Sequence, residues 1–240
     1  VIKKNDYIAG MTQFNPTLPV LGYVATFTES VIKDGYNPAL VYNLPEDSYK
    51  VRKVNLYDQL NKLGSAYASK TVFDITMVNT LTFPIIAKAE ASWQSKGVKK
   101  FDTVDELMSC EDKFDLYQEA FKIDKEYRAL VFKGKGEVAP KILSVLMRTP
   151  ANEKAESLRV SESTDHDSLA NNESSKFKWE VMDIFNGCDD CPNLTEVGNI
   201  IKDVFMVSPG MNIFAIDFAV DKDGKYWLIE ANTQPGQNGI

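Results

Sequence analysis

Three oxygen-bearing side chains near the C-terminus stand at a spacing that suits a hard cation. Tyr226-Trp227-Leu228-Ile229-Glu230-Ala231-Asn232 reads as a strand, so Glu230 and Asn232, two apart, share one face. Upstream, Asp217 interrupts an apolar run that begins Ile213-Phe214-Ala215-Ile216, and Asp221-Lys222-Asp223-Gly224 reads as the turn between two hairpin strands. If that turn pairs Val220 with Lys225, Asp217 falls opposite Leu228 and diagonal to Glu230, on the same face. Ile216, Phe218, Trp227 and Ile229 then take the core face. Two carboxylates and an amide oxygen converging there would be costly without a cation, and such a set suits Mg2+. An Asp and a Glu on a hairpin also describe a solvated face, so spacing alone leaves both readings open.

The surrounding residues carry more. Phe214-Ala215-Ile216-Asp217-Phe218, then Asp223-Gly224-Lys225, then Trp227-Leu228-Ile229-Glu230-Ala231-Asn232-Thr233-Gln234-Pro235-Gly236 resembles the metal-binding C-terminal motif of the ATP-grasp superfamily. The likeness is to its carboxylate–amine ligases, of the glutathione synthetase and tubulin–tyrosine ligase-like type. It implies that Asp217, Glu230 and Asn232 hold Mg2+. It also implies that Lys88, ending Phe83-Pro84-Ile85-Ile86-Ala87-Lys88, contacts the phosphates of ATP. The loop after it carries Trp93 and Gln94 where the family commonly has glycines. Tyr117-Gln118-Glu119-Ala120-Phe121 matches the family's hinge, so Gln118, Glu119, Ala120 and Phe121 would hold adenine, the backbone of Ala120 and Phe121 meeting its edge. Arg128 and Arg148 match the arginines that face phosphate or a developing acyl phosphate, although Glu126 and Arg128 also read as a same-face surface ion pair. Lys70 is the candidate for a further phosphate contact. The resemblance runs from about residue 65 to 236.

What the resemblance implies is an α+β chain in which two ATP-grasp subdomains clasp ATP. The lid would span residues 71–121 and the catalytic subdomain 122–240, after a shortened α/β unit at 1–70. The activity implied is ATP-dependent joining of a small-molecule or peptide carboxylate to an amine through an acyl phosphate. A phosphotransferase and a non-enzymatic nucleotide-binding protein on the same scaffold are the alternatives. Phosphoryl transfer requires positioning and charge neutralisation rather than a covalent residue. The sequence agrees, because its one histidine, His166, lies in a polar stretch and no Ser/His/Asp or Cys/His set is evident.

The elements that must position these residues follow from patterning. Tyr57, Leu60, Leu63 and Tyr67 predict a helix over 57–70, and Val197, Ile200, Ile201, Val204 and Phe205 predict another. Asp102 or Thr103 can cap a helix that follows. Strands are expected at 83–88, 97–101, 114–121, 126–132 and 142–148, with a turn at 133–136. In the N-terminal unit a helix running through Ser30–Lys33 and a strand at 39–42 are expected, and 150–178 reads as a long polar surface loop.

At 240 residues and 44% hydrophobic the chain can bury a substantial core. A net charge of −7 argues against generic nucleic-acid binding. No apolar run is long enough for a membrane span, and no signal peptide is evident, so a cytoplasmic protein is expected. The absence of an initiator Met and the ending just after the motif suggest a trimmed fragment. Cys188 and Cys191 have zinc-knuckle spacing, but only Cys110 and His166 could complete four ligands. Two free thiols on an exposed acidic loop is the expected state.

Overall fold

The computed structural model describes residues 20–21, 32–33, 37, 41–90, 97–150 and 177–233. The loop bearing Trp93 and Gln94, the stretch 151–176 with His166, Pro235-Gly236 and most of the expected N-terminal helix lie outside the described residues. Val20–Leu21 (β1) and Val41–Tyr42 (β2) form a parallel pair. Helices α1 (Pro45–Lys50) and α2 (Lys53–Leu63) follow.

A four-stranded antiparallel sheet comes next: Thr71–Val72 (β3), Ile85–Lys88 (β4), Val98–Phe101 (β5) and Leu116–Glu119 (β6), in the order β3-β6-β4-β5. A 3-10 helix at Ile75–Thr80 and α3 (Val104–Met108) cover it. Thr103 caps α3 by accepting from the Glu106 N–H, while Glu106 accepts from the Asp102 N–H. The core of this lid sheet is Val78, Leu81, Ile85, Ala87, Phe101, Leu107 and Tyr117.

The larger sheet is antiparallel: Ile123–Phe132 (β7), Lys141–Pro150 (β8), Phe177–Val181 (β9), Ile213–Asp221 (β10) and Tyr226–Asn232 (β11), ordered β11-β10-β7-β8-β9. Helix α4 (Leu194–Val207), capped by Asn193, packs Val197, Ile200, Ile201 and Val204 onto one face of it together with Leu56, Tyr57 and Leu60 of α2. Each such fully buried side chain contributes about 1.5–3 kcal/mol. β9 was not expected; it begins at the very end of the stretch that reads as polar loop.

Helix α2 ends earlier than its apolar spacing suggests. Gly64 adopts φ +65, and the Ser65 N–H closes the last turn on the Leu60 carbonyl. Leu63 is therefore exposed, and Tyr67 lies on the following segment, where its hydroxyl donates to Glu196 of α4. Cys188 and Cys191 are joined by a disulfide, which corrects the expectation of two thiols; Cys110 is free. Among the described residues no helix is long and apolar enough to cross a membrane.

Candidate functional site

The last hairpin departs from the expected register in a way that builds the site. Asp221 extends β10 by one residue. Its Oδ1 accepts from the N–H groups of Asp223 and Lys225, its Oδ2 accepts from Trp227 Nε1, and Gly224 supplies φ +79 for the turn. Val220 therefore pairs with Tyr226, not Lys225. Continued unbroken, that register would set Asp217 against Ile229. A bulge between Asp217 and Phe218 makes Ile229 the extra residue and brings Glu230 directly opposite Asp217. The expectation of Leu228 opposite Asp217 is corrected accordingly. The core face belongs to Leu228 and Ala231, packed with Ile216 and Phe218, rather than to Trp227 and Ile229. Trp227 turns to the opposite face and stacks on Phe121 at 4.9 Å, with Lys225 Nζ 3.6 Å from its ring centroid.

Asp217 is buried at 4% exposure. Arg128, its partner in the β7–β10 register, grips it with two bonds, Nε to Oδ1 and Nη2 to Oδ2, both 2.6 Å. Burial nevertheless pushes the Asp217 carboxyl up to about 7, with Glu230 and Glu126 adding to the rise against the pull of Arg128. Asn232 Nδ2 donates to Glu230 Oε1 at 2.7 Å. Glu126 does not pair with Arg128, as sequence spacing suggests; it accepts from Arg148 Nη1 at 2.8 Å. Strand pairing explains the exchange, since cross-strand partners lie closer than residues two apart on one strand.

The smaller sheet brings a lysine against Tyr57. Lys88, at the end of β4, is partly buried, with Nζ 5.4 Å from the Tyr57 ring centroid. Burial lowers its pKa to about 8; Glu230 pulls the other way and Lys53 adds to the fall. Tyr57 links the two sheets to α2: its hydroxyl donates to the Leu228 and Ile229 carbonyls at 2.7 and 2.9 Å, next to Glu230. Sequence patterning marks Tyr57 only as a core residue. Lys70 is placed apart from Lys88. It donates to the Thr80 carbonyl and lies 3.9 Å from Glu119, which aligns with Ile85 at the other end of β4.

The hinge is only partly available to a ligand. Gln118 is buried and donates to Thr71 Oγ1 at 2.9 Å. The Ala120 N–H already donates to the Pro84 carbonyl at 2.9 Å, so the expected use of that donor for adenine is corrected; Phe121 carries the next N–H along the chain. Among the described residues no three His, Cys, Asp or Glu side chains gather as metal ligands. The set here is two carboxylates and an amide.

Comparison with known proteins bears on the fold. Residues 198–240 match the YheC/D-like ATP-grasp family. No curated protein matches the chain. Among solved structures, the chain is similar to N5-carboxyaminoimidazole synthetase from Staphylococcus aureus complexed with ADP, with TM-score 0.64 at 11% identity over 90% of this chain and 52% of that one. It is similar to D-alanine–D-alanine ligase from Bacillus anthracis, with TM-score 0.65 at 19% identity over 98% of this chain and 75% of the other. It is also similar to L-amino acid ligase from Bacillus licheniformis, with TM-score 0.60 at 13% identity over 89% and 46%. The chain thus spans about half the length of the first and third of these proteins. Two sheets, the strand lysine of the smaller facing the acidic hairpin of the larger, and these likenesses together establish that the chain has the ATP-grasp fold.

Proposed function

We propose that this chain binds Mg-ATP between its two sheets and supplies the nucleotide site of an ATP-dependent ligase joining a carboxylate to an amine. The observation that carries the reading is Lys88 of β4 lying over the ring of Tyr57, whose hydroxyl holds the carbonyls of Leu228 and Ile229 next to Glu230, the cross-strand partner of the Arg128-paired Asp217. On this reading Lys88 would serve phosphate, and Asp217 and Glu230 would serve the metal. The similar solved proteins named above include ligases and an ADP complex, which supports the same reading.

The donor set fits Mg2+. Asp217 and Glu230 are cross-strand partners, Asn232 shares their side, and their mutual repulsion contributes to the raised Asp217 pKa. When bound, Mg2+ would offset the charge of the phosphates during transfer. Lys88 would hold phosphate oxygens, its charge favoured by that contact over its desolvated resting state. Arg128 and Arg148 line the same face of the larger sheet and would steady the transferring phosphoryl group and the acyl phosphate. Phe121 N–H would meet the adenine edge, with Glu119 at the base of the hinge and Lys70 beside it.

In the reaction, a carboxylate oxygen bonds to the γ-phosphorus as the bond to the departing ADP oxygen breaks. An amine then bonds to the acyl carbon, phosphate leaves, and the amine nitrogen gives up a proton. The lid, 71–121, would exclude water from the acyl phosphate. A coupled assay of ADP release with candidate carboxylates tests this, with and without amines. Amine-dependent release, lost in Glu230→Gln, is the expected result. Phosphorylation of a hydroxyl substrate would point instead to a phosphotransferase, and binding without turnover to a nucleotide-binding protein.

A further inference from the structure

Both oxygens of Asp217 are taken by the Arg128 fork, and the carboxylate is almost wholly buried. A divalent cation approaching Asp217 in the plane of its carboxylate would meet the guanidinium that already takes both oxygens in bidentate fashion. Arg128 also has a second support. Its guanidinium carbon lies 4.7 Å from the ring centroid of Trp179, on β9, a residue to which the proposed reaction gives no part. Nearby Glu126 is already engaged by Arg148. Resting on the reading of Asp217 as a metal ligand, we propose that the metal enters by exchange with Arg128, and that Trp179 is the platform holding the displaced guanidinium in the site.

Arg128 acts as counter-ion to the buried Asp217, and in the exchange the metal would take over that part. Once Asp217 turns to the metal, the guanidinium stays over the indole face by cation–π attraction, with its N–H donors released toward the cleft. Arg128 would thereby become available to phosphate only when the metal is in place, which couples loading of the site to its readiness. Trp179 acts here as a positioning residue, through Arg128.

Titration of the nucleotide-free chain with Mn2+, by calorimetry, tests the exchange. Arg128→Gln should bind Mn2+ more tightly than the parent by about tenfold, the size of one charge-assisted pair no longer in competition. Asp217→Asn should lose binding. Tryptophan emission followed during Mg2+ titration gives a second measure in the unaltered protein. It should change along the same saturation curve, and the change should vanish in Trp179→Phe, which keeps Trp93 and Trp227. If Arg128→Gln binds Mn2+ no more tightly while Asp217→Asn still loses it, the exchange is wrong and the metal site stands. If Asp217→Asn binds like the parent, the metal assignment fails and the exchange fails with it. Emission unmoved at saturating Mg2+, or moved equally in Trp179→Phe, removes Trp179 from the account.

Discussion

Burial and two neighbouring carboxylates, Glu230 and Glu126, lift the Asp217 carboxyl to about 7 against the pull of Arg128. In the unfolded chain the same group ionises near 3.8. Its contribution to stability is therefore present at low pH and is lost as the pH rises through about 7. A metal reverses the preference, because it binds the ionised form and expels the proton. Affinity of the nucleotide-free chain for Mg2+ should rise between about pH 6 and pH 8 and level off above. Calorimetry in buffers of different ionisation enthalpy should register proton release over that range. Asp217→Asn should show neither effect; pH-independent Mg2+ binding by the unaltered chain would refute the assignment. That Glu230 and Asn232 lie on one side of β11, near Asp217, was legible from period two and the turn, while their reading as a metal group came from the resemblance. The pairing of Asp217 with Arg128 was not legible, because partners across strands depend on a register that sequence spacing leaves open.

At the scale of elements, the bulge at Ile229 and the long reach of α2 decide how the cleft is held. Tyr57 places one hydroxyl on two consecutive carbonyls, Leu228 and Ile229, at the point where β11 departs from regular pairing. The carbonyl orientations at the bulge thus gain a donor that a regular ladder would not give them. Removing it with Tyr57→Phe leaves buried acceptors unsatisfied and should cost about 1–3 kcal/mol, read as a lower urea midpoint with an unchanged slope. A midpoint equal to the parent would mean that the bulge is held by packing alone. The hairpin, α3 and α4 were legible because apolar period and capping residues agreed there. Three features were not. Gly64 ended α2 although Tyr67 continued its apolar spacing, and β9, Phe177–Val181, alternates apolar and polar residues but is short and follows a long polar stretch. Asp221 lengthened β10 through hydrogen bonds that no periodicity records.

Across the whole molecule, two hydrophobic cores lie on separate sheets, and among the described residues they are joined by apolar contacts, Phe73 on the larger core and Phe121 on Trp227, and by polar ones. Val54 N–H of α2 donates to Glu90 beyond β4, and Tyr57 of α2 faces Lys88. The fold class was legible at this scale from the order of lysine strand, hinge and acidic hairpin. What resists a sequence reading is which backbone donors remain open once the strands have paired, as the engaged Ala120 N–H illustrates.

The central claim, that Mg-ATP lies between the sheets with its base at the hinge and its phosphates at Lys88, is tested most directly by titrating ATP and GTP into the chain in Mg2+. The Phe121 N–H suits the acceptor at adenine N1, whereas guanine presents a donor there. ATP should therefore bind one to a chain and more tightly than GTP, by about 1–3 kcal/mol. In Lys88→Ala, ATP binding should weaken by a similar amount, about 1.5–3 kcal/mol for a lost contact to a charged group. Equal affinity for ATP and GTP, together with unchanged ATP binding by Lys88→Ala, would contradict the claim.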